Sequence, residues 1–220
     1  MASRKPKRPA SSSVPVRGGA RLGVTALGRP APQFELPDSA GVLHRLPAAP
    51  ATVVYFISNR CPACLAWQPR LSDAAGDYAS RGVRFLAINV PCQFPGPIGA
   101  RMPKLDGAEG ITMVIAKSEW RHITYLDGSS LHTARAWQAR VVPDLFVLDQ
   151  DHLIRYRGAP DRAQFEPDEN AIWLRDALDA VLDGRQPPFV PSNLIGCPIK
   201  WHTSAQGDPA LPTHRRPAGP

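Results

Sequence analysis

Two continuous apolar runs on either side of a helical stretch constrain this chain more than any other feature. "ATVVYFIS" (51–58) and "VRFLAINV" (83–90) are built from β-branched, aromatic and small apolar residues and lack the alternation of a half-exposed strand. Strands buried on both faces of a parallel sheet read this way. Between them, Leu65, Trp67, Leu71, Ala74, Ala75 and Tyr78 recur at mixed helical spacing, which predicts a helix over about 62–80 ended by Gly82. The three segments make a β-α-β unit, and such a unit implies parallel strands joined by a right-handed crossover.

The flanking sequence fills in an α/β order. "FEL" and "VLHRL" read as short strands around the turn "PDSAG", within residues 27–46. "ITMVIAKSEW" (111–120) reads as a short helix, "HITYLDGSS" (122–130) as a strand and turn, and "SLHTARAWQAR" (130–140) as a helix. "VVPDLFVLDQDHLIRYRG" (141–158) reads as two strands joined by "DQDH", and "NAIWLRDALDAVLDG" (170–184) as an amphipathic helix stopped at Gly184. Residues 91–110 are Pro- and Gly-rich and give no assignment. The expected architecture is a central sheet with helices on both faces. No internal repeat is present.

The 220 residues suit one ordinary domain with tails. Residues 1–28 are low in complexity and read as a disordered basic tail, 29–184 as the domain, and 185–220, with eight prolines, as an extended arm. The net charge of +7 belongs to the leader: residues 1–33 carry seven basic side chains and no acid, and the remainder balances at 19 against 19. The composition therefore argues against specific nucleic-acid binding by the folded part. No apolar run reaches the length of a membrane span, and the N-terminus has no apolar core of a secretory signal. Its Arg/Ser content only faintly resembles an organelle transit peptide. Four cysteines in such a chain point to a specialised cysteine site in a cytoplasmic protein, not to a disulfide scaffold.

That site begins in "VVYFISNRCPACLAWQPRL" (53–71), where Cys61 and Cys64 fall at the strand-to-helix junction. Unpaired N–H groups and the helix dipole favour an anion there, so the Cys61 thiol should ionise easily. Arg60 adds positive charge if its side chain folds inward. Cys64 lies one turn on, within reach of a disulfide, and Pro62 stiffens the first turn. Cys61 is expected as the exposed attacking thiolate and Cys64 as the thiol that resolves the mixed disulfide. A closed zinc site needs four ligands, and no second CxxC or CxxH pair is present. A protein that uses the cysteines to hold a metal remains the competing class.

Residues 53–71, "LGRPAPQFELPDSAG", "ITYLDGSSLHTARAWQARVVPDLFVLD" and "IRYRGAPD" together resemble the thioredoxin fold, over about 27–184. More narrowly, they are similar to redoxins related to alkyl hydroperoxide reductase and thiol-specific antioxidant proteins. "IGCPIKW" (195–201) is similar to the Gly-Cys-Ser/Thr-Ile-Lys-Trp ending of one subgroup of redoxin-like proteins. The resemblance implies a thioredoxin-like mixed sheet and a thiol–disulfide oxidoreductase. It also implies that Pro143 is a cis-proline facing the dithiol, with the backbone of Val142 free to pair with an extended substrate. A peroxidase is the alternative. Ser58 occupies the hydroxyl position of the peroxiredoxin pattern, but Val54 stands where that pattern has proline and Pro143 where it has arginine. Arg140 lies close by and keeps that alternative open.

Cys92 follows the strand 83–90, so it is placed at the same sheet edge as Cys61 and is a candidate third thiol. Cys197, in the arm, is a candidate resolving thiol, with Trp201 as a docking anchor. The six histidines show no metal-ligand spacing, and no phosphate loop or hydrolase elbow appears. No bound cofactor is expected, only a protein or small-molecule thiol partner. Redox potential is not legible from Pro-Ala between the cysteines, because dithiols of this kind span about −270 to −120 mV.

Overall fold

The computed structural model describes residues 27–93, 120–163, 166, 169–188 and 196–201. The expected helix over 111–120 lies outside them except for Trp120, as do the basic tail up to residue 26 and most of the arm.

The order is β1 (Leu36–Pro37), β2 (Leu43–His44), β3 (Ala51–Ile57), α1 (Pro62–Ala79), β4 (Arg84–Asn89), β5 (Ile123–Asp127), α2 (His132–Ala136), β6 (Val141–Val142), β7 (Asp144–Asp149), β8 (Ile154–Gly158), α3 (Ile172–Leu182) and β9 (Cys197–Pro198). A five-stranded sheet runs β5-β4-β3-β7-β8. β3, β4 and β5 are parallel, while β7 and β8 are antiparallel. β3 lies at the centre with every residue buried, which is why its sequence shows no alternation.

Successive side chains of β3 point to opposite faces. Phe56 and its neighbour Phe146 pack edge-on against Trp137, just beyond α2. Tyr55 and Ile57 face the other way, towards Cys64, Leu65 and Leu71 of α1. α3 joins α1 on that face: the Tyr78 hydroxyl donates to the Arg175 carbonyl at 3.2 Å, and Arg175 pairs with Asp77 at 2.7 Å. The sheet is therefore covered on both sides, as a thioredoxin-like α/β fold requires.

Three expectations need correction. The two N-terminal strands shrink to two residues each, a small hairpin whose turn is closed by the Asp38 carboxylate accepting the Ala40 and Val42 N–H groups at 2.8 and 3.0 Å. The helix expected over 130–140 covers only 132–136, because Gln138 turns left-handed at φ 52° and Ala139 N–H closes back on the Ala134 carbonyl at 2.9 Å. The segment 141–158 forms three strands, not two: Pro143 has no N–H to continue a ladder, so β6 leaves the main sheet and pairs with β9.

Candidate active site

Cys61 is the N-cap of α1, with extended backbone at φ −91° and ψ 116°. β3 delivers it, Pro62 opens the helix, and the Cys61 carbonyl accepts the Leu65 N–H at 3.1 Å. The Cys61 N–H closes the turn onto the Ser58 carbonyl at 3.1 Å. Cys64 projects from the first turn towards Cys61, and both are buried and free of disulfide.

The two thiols are electrostatically unlike. Hydrogen bonding by the Cys64 thiol is the largest influence on Cys61. Together with the Cys197 thiol and the backbone groups of Cys64 and Cys197, it outweighs burial and lowers the Cys61 pKa from 9.0 to about 5. Burial is the largest influence on Cys64, and with the adjacent Cys61 it pushes the Cys64 thiol well up. One thiol is thus ready to ionise while its neighbour keeps its proton. When protonated, Cys61 donates to the Val142 carbonyl, 3.2 Å away.

Val142 and Pro143 meet Cys61 from the opposite side, and the Val142–Pro143 bond is cis. The Val142 edge is taken by the chain's own C-terminal segment: Val142 is in register with Cys197, and Val141 with Pro198. Burial is the largest influence on the Cys197 thiol, and with the neighbouring Cys61 and Cys92 it raises its pKa. Strand pairing thus brings Cys197 and Cys92 to the Cys61 end of the sheet: Cys61 meets Val142, Val142 is in register with Cys197, and Cys92 is bridged to Ile199 two residues on. Among the described residues, no group of three or more Cys, His, Asp or Glu is arranged to hold a metal ion.

Other expectations fare unevenly. Cys61 was expected to be exposed, but its accessible surface is 0%. The sequence reveals no cover for it, since the partners above it come from residues 142 and 197. Arg60 is half-buried beside the nucleophile, and the leading donors to Cys61 are Cys64 and Cys197. Ser58 is fully buried, and its hydroxyl accepts the Arg60 N–H at 3.4 Å. Arg140 is exposed and engages through its backbone, its carbonyl accepting the Ile199 N–H at 3.0 Å. Trp201 is 37% exposed over the Arg135 guanidinium, and the buried anchor of the segment is Ile199, at 1%. His44 pairs with Asp38, and the His152 ring reaches the Pro47 carbonyl, while His202 and His214 lie outside the described residues.

Two buried carboxylates frame the site and have no counterpart in the sequence reading. Asp161 accepts from Trp67 Nε1 and Arg70, both at 2.7 Å, and from the Ala171 N–H at 3.1 Å, tying α1 to the start of α3. Asp144, next to Pro143, is gripped by Arg157 through two nitrogens at 2.8 and 3.2 Å. The alternation of Cys197, Ile199 and Trp201 with Pro198 and Lys200 is the signal that identifies the terminal segment as a strand.

Comparison with known proteins gives the family. The AhpC/TSA family profile matches residues 27–157. No curated protein matches the chain. A hypothetical protein of Sinorhizobium meliloti is 34% identical, with a TM-score of 0.70, over 81% of this chain and 96% of its own. An uncharacterized conserved protein of Geobacillus kaustophilus is 33% identical, also at 0.70, over 83% of this chain and 96% of its own. A candidate thiol:disulfide interchange protein, DsbE, of Chlorobium tepidum shares the fold at 18% identity and a TM-score of 0.56, over 71% of this chain and 97% of its own. Among the described residues, no helix is long and apolar enough to cross a membrane. With its mixed five-stranded sheet and a family match that spans β1 to β8, the chain belongs to the AhpC/TSA family of thioredoxin-fold redoxins.

Proposed function

We propose that this protein is a thiol–disulfide oxidoreductase working through Cys61 and Cys64. The observation that carries the reading is the asymmetry of the pair: the Cys61 thiol is lowered to about 5 by its Cys64 partner, while burial raises Cys64. At neutral pH Cys61 is a thiolate held at a helix N-terminus, and Cys64 supplies a proton and then a second thiol. In the reducing direction, the Cys61 thiolate attacks a partner disulfide, an S–S bond to Cys61 forms, and one partner sulfur leaves as thiolate. Cys64 gives its proton to that departing partner thiolate and attacks the Cys61 sulfur. A Cys61–Cys64 disulfide forms, the second partner sulfur leaves, and the partner has gained two electrons. No bound cofactor is needed. The partner is a protein or small thiol approaching along Val142, Pro143 and Arg60, in a reducing compartment such as the cytoplasm.

A peroxidase would need a hydroxyl and a guanidinium aimed at Cys61. The Ser58 hydroxyl accepts a backbone N–H instead, and the Arg140 side chain is exposed, which favours exchange over peroxide reduction. The test is the redox midpoint of the purified protein, with mass spectrometry locating the bond. A Cys61–Cys64 disulfide with a defined potential is expected. Peroxide turnover faster than exchange, or a metal ion holding both thiols, would overturn the assignment.

A further inference from the structure

The segment Gly196–Trp201 is set into the site as a strand, not laid over it. Its backbone is bonded on two sides. Towards the loop before Pro143, Val142 is in register with Cys197, and the Ile199 N–H donates to the Arg140 carbonyl at 3.0 Å. Towards the loop after β4, Cys92 is bridged to Ile199, the Gln93 N–H donates to the Pro198 carbonyl at 2.8 Å, and the Lys200 N–H donates to the Pro91 carbonyl at 2.9 Å. Ile199 is buried, and Trp201 lies 5.4 Å from the Arg135 guanidinium.

Gly196 makes this approach sterically feasible. A Cβ at that position would lie 2.2 Å from the Val142 carbonyl oxygen and 2.8 Å from its carbon, closer than any side chain can come. The chain has a glycine where the terminal segment crosses the Val142 edge and a cysteine at the next position, in contact with the Cys61 thiol.

We propose that residues 196–201 are a built-in stand-in for the substrate strand, and that Cys197, in the seat of the substrate's cysteine, exchanges disulfides with Cys61. The proposal rests on the reading of Cys61 and Cys64 as the exchanging dithiol. Starting from the oxidised pair, the Cys197 thiolate attacks the Cys61 sulfur. The Cys61–Cys197 bond forms, the Cys61–Cys64 bond breaks, and Cys64 leaves with the bonding electron pair and takes up the proton that Cys197 lost. The step is an isomerisation: Cys197 is oxidised, Cys64 is reduced, and no outside oxidant enters. The product is latched, with its own strand covalently held on the Val142 edge. A partner strand must displace residues 196–201 to reach Cys61, and an external dithiol that reduces the Cys61–Cys197 bond releases them. Cys92, bridged through its backbone to Ile199, holds the segment from the side away from Val142.

The test maps disulfides after equilibration in glutathione redox buffers and acid trapping, in the wild type and in Cys64→Ser. The variant is expected to form Cys61–Cys197, and the wild type to show that bond beside Cys61–Cys64. Recovery of the variant with Cys61 joined only to glutathione and Cys197 free would overturn the stand-in, while a normal Cys61–Cys64 bond in the wild type would leave the dithiol reading standing. Absence of any Cys61–Cys64 bond in the wild type would instead sink the dithiol reading. A second variant, Gly196→Val, keeps all four thiols and blocks the docking. Its Cys61 should be alkylated at least about tenfold faster, the rate equivalent of 1.4 kcal/mol lost from the docked state. An unchanged rate would overturn the cover.

Discussion

The two sides of Cys61 are built by different means. The helix side comes from neighbours in sequence: Pro62 opens α1, Cys64 sits three residues on, and the whole group follows β3 in one short stretch. The strand side comes from far away: Val142 lies 81 residues beyond Cys61, and Cys197 is in register with it. Both sides supply hydrogen bonds to the same sulfur, and the Cys64 thiol is the stronger of the two influences. The comparison teaches that acidity at this site is mainly a local property, whereas access to it is a tertiary one.

Each side also has its own buried carboxylate, and removing it is the most severe way to break the comparison. Asp161 is fully buried and pairs with Arg70, while Asp144 is fully buried and pairs with Arg157, itself 2% exposed. Loss of Asp144 leaves the buried Arg157 guanidinium without its carboxylate, and loss of Asp161 leaves the buried Trp67 Nε1–H and Ala171 N–H without their acceptor, so Asp144→Ala and Asp161→Ala should each cost about 3–5 kcal/mol. Urea unfolding measures this, and a loss under about 1 kcal/mol would show that the affected side does not depend on its carboxylate.

Next in size is the direct contest between the sulfurs. Cys64→Ala should cut the Cys61 thiolate-to-thiol ratio by about 10–100-fold, the worth of a hydrogen bond to a charged group. Cys197→Ala should cut it by less than about tenfold, being the weaker donor. Thiolate ultraviolet absorbance against pH reads both, and equal effects would remove the distinction between the sides.

The pH dependence of stability sharpens the same point. The folded Cys61 pKa is depressed from 9.0 to about 5, so the ionised thiol favours the folded reduced protein. That contribution is complete above pH 9.0 and is lost as pH falls through about 5. Reduced wild type should therefore gain stability over this window relative to Cys61→Ser, measured by denaturant unfolding at several pH values. A flat difference would mean that Cys61 is not held as a thiolate.

The smallest effect belongs to the outer edge of the strand side. Arg135→Ala removes the cation under Trp201, worth about 0.5–1 kcal/mol, and should speed Cys61 alkylation by roughly two- to fivefold. No acceleration would place the hold on the segment entirely in Ile199 and the backbone bonds.

How much was legible follows from the range of the interactions. β3, α1 and β4 appear in the sequence close to where they form, because burial on both faces and helical spacing are local patterns. Cys61 and Cys64 appear for the same reason. The short α2 does not, because its end depends on a single left-handed residue, Gln138, and on the closure of Ala139 onto Ala134. The Asp144–Arg157 and Trp67–Asp161 pairs are invisible, since a charge destined for burial looks in sequence like any surface charge.

By itself, the sequence determined the β-α-β unit and the placing of Cys61 and Cys64 at its junction, which depend on residues a few positions apart, and, through stretches spread over about 27–184, the redoxin family. Only the tertiary structure decided that Cys61 is covered, that the Val142 edge carries the chain's own β9, and that Cys197 and Cys92 are brought by strand pairing to the Cys61 end of the sheet. Those facts depend on strand pairing across tens of residues. Such pairing is set by complementary backbone hydrogen bonds and by the absence of a side chain at Gly196, and it emerges only when the chain has folded back on itself.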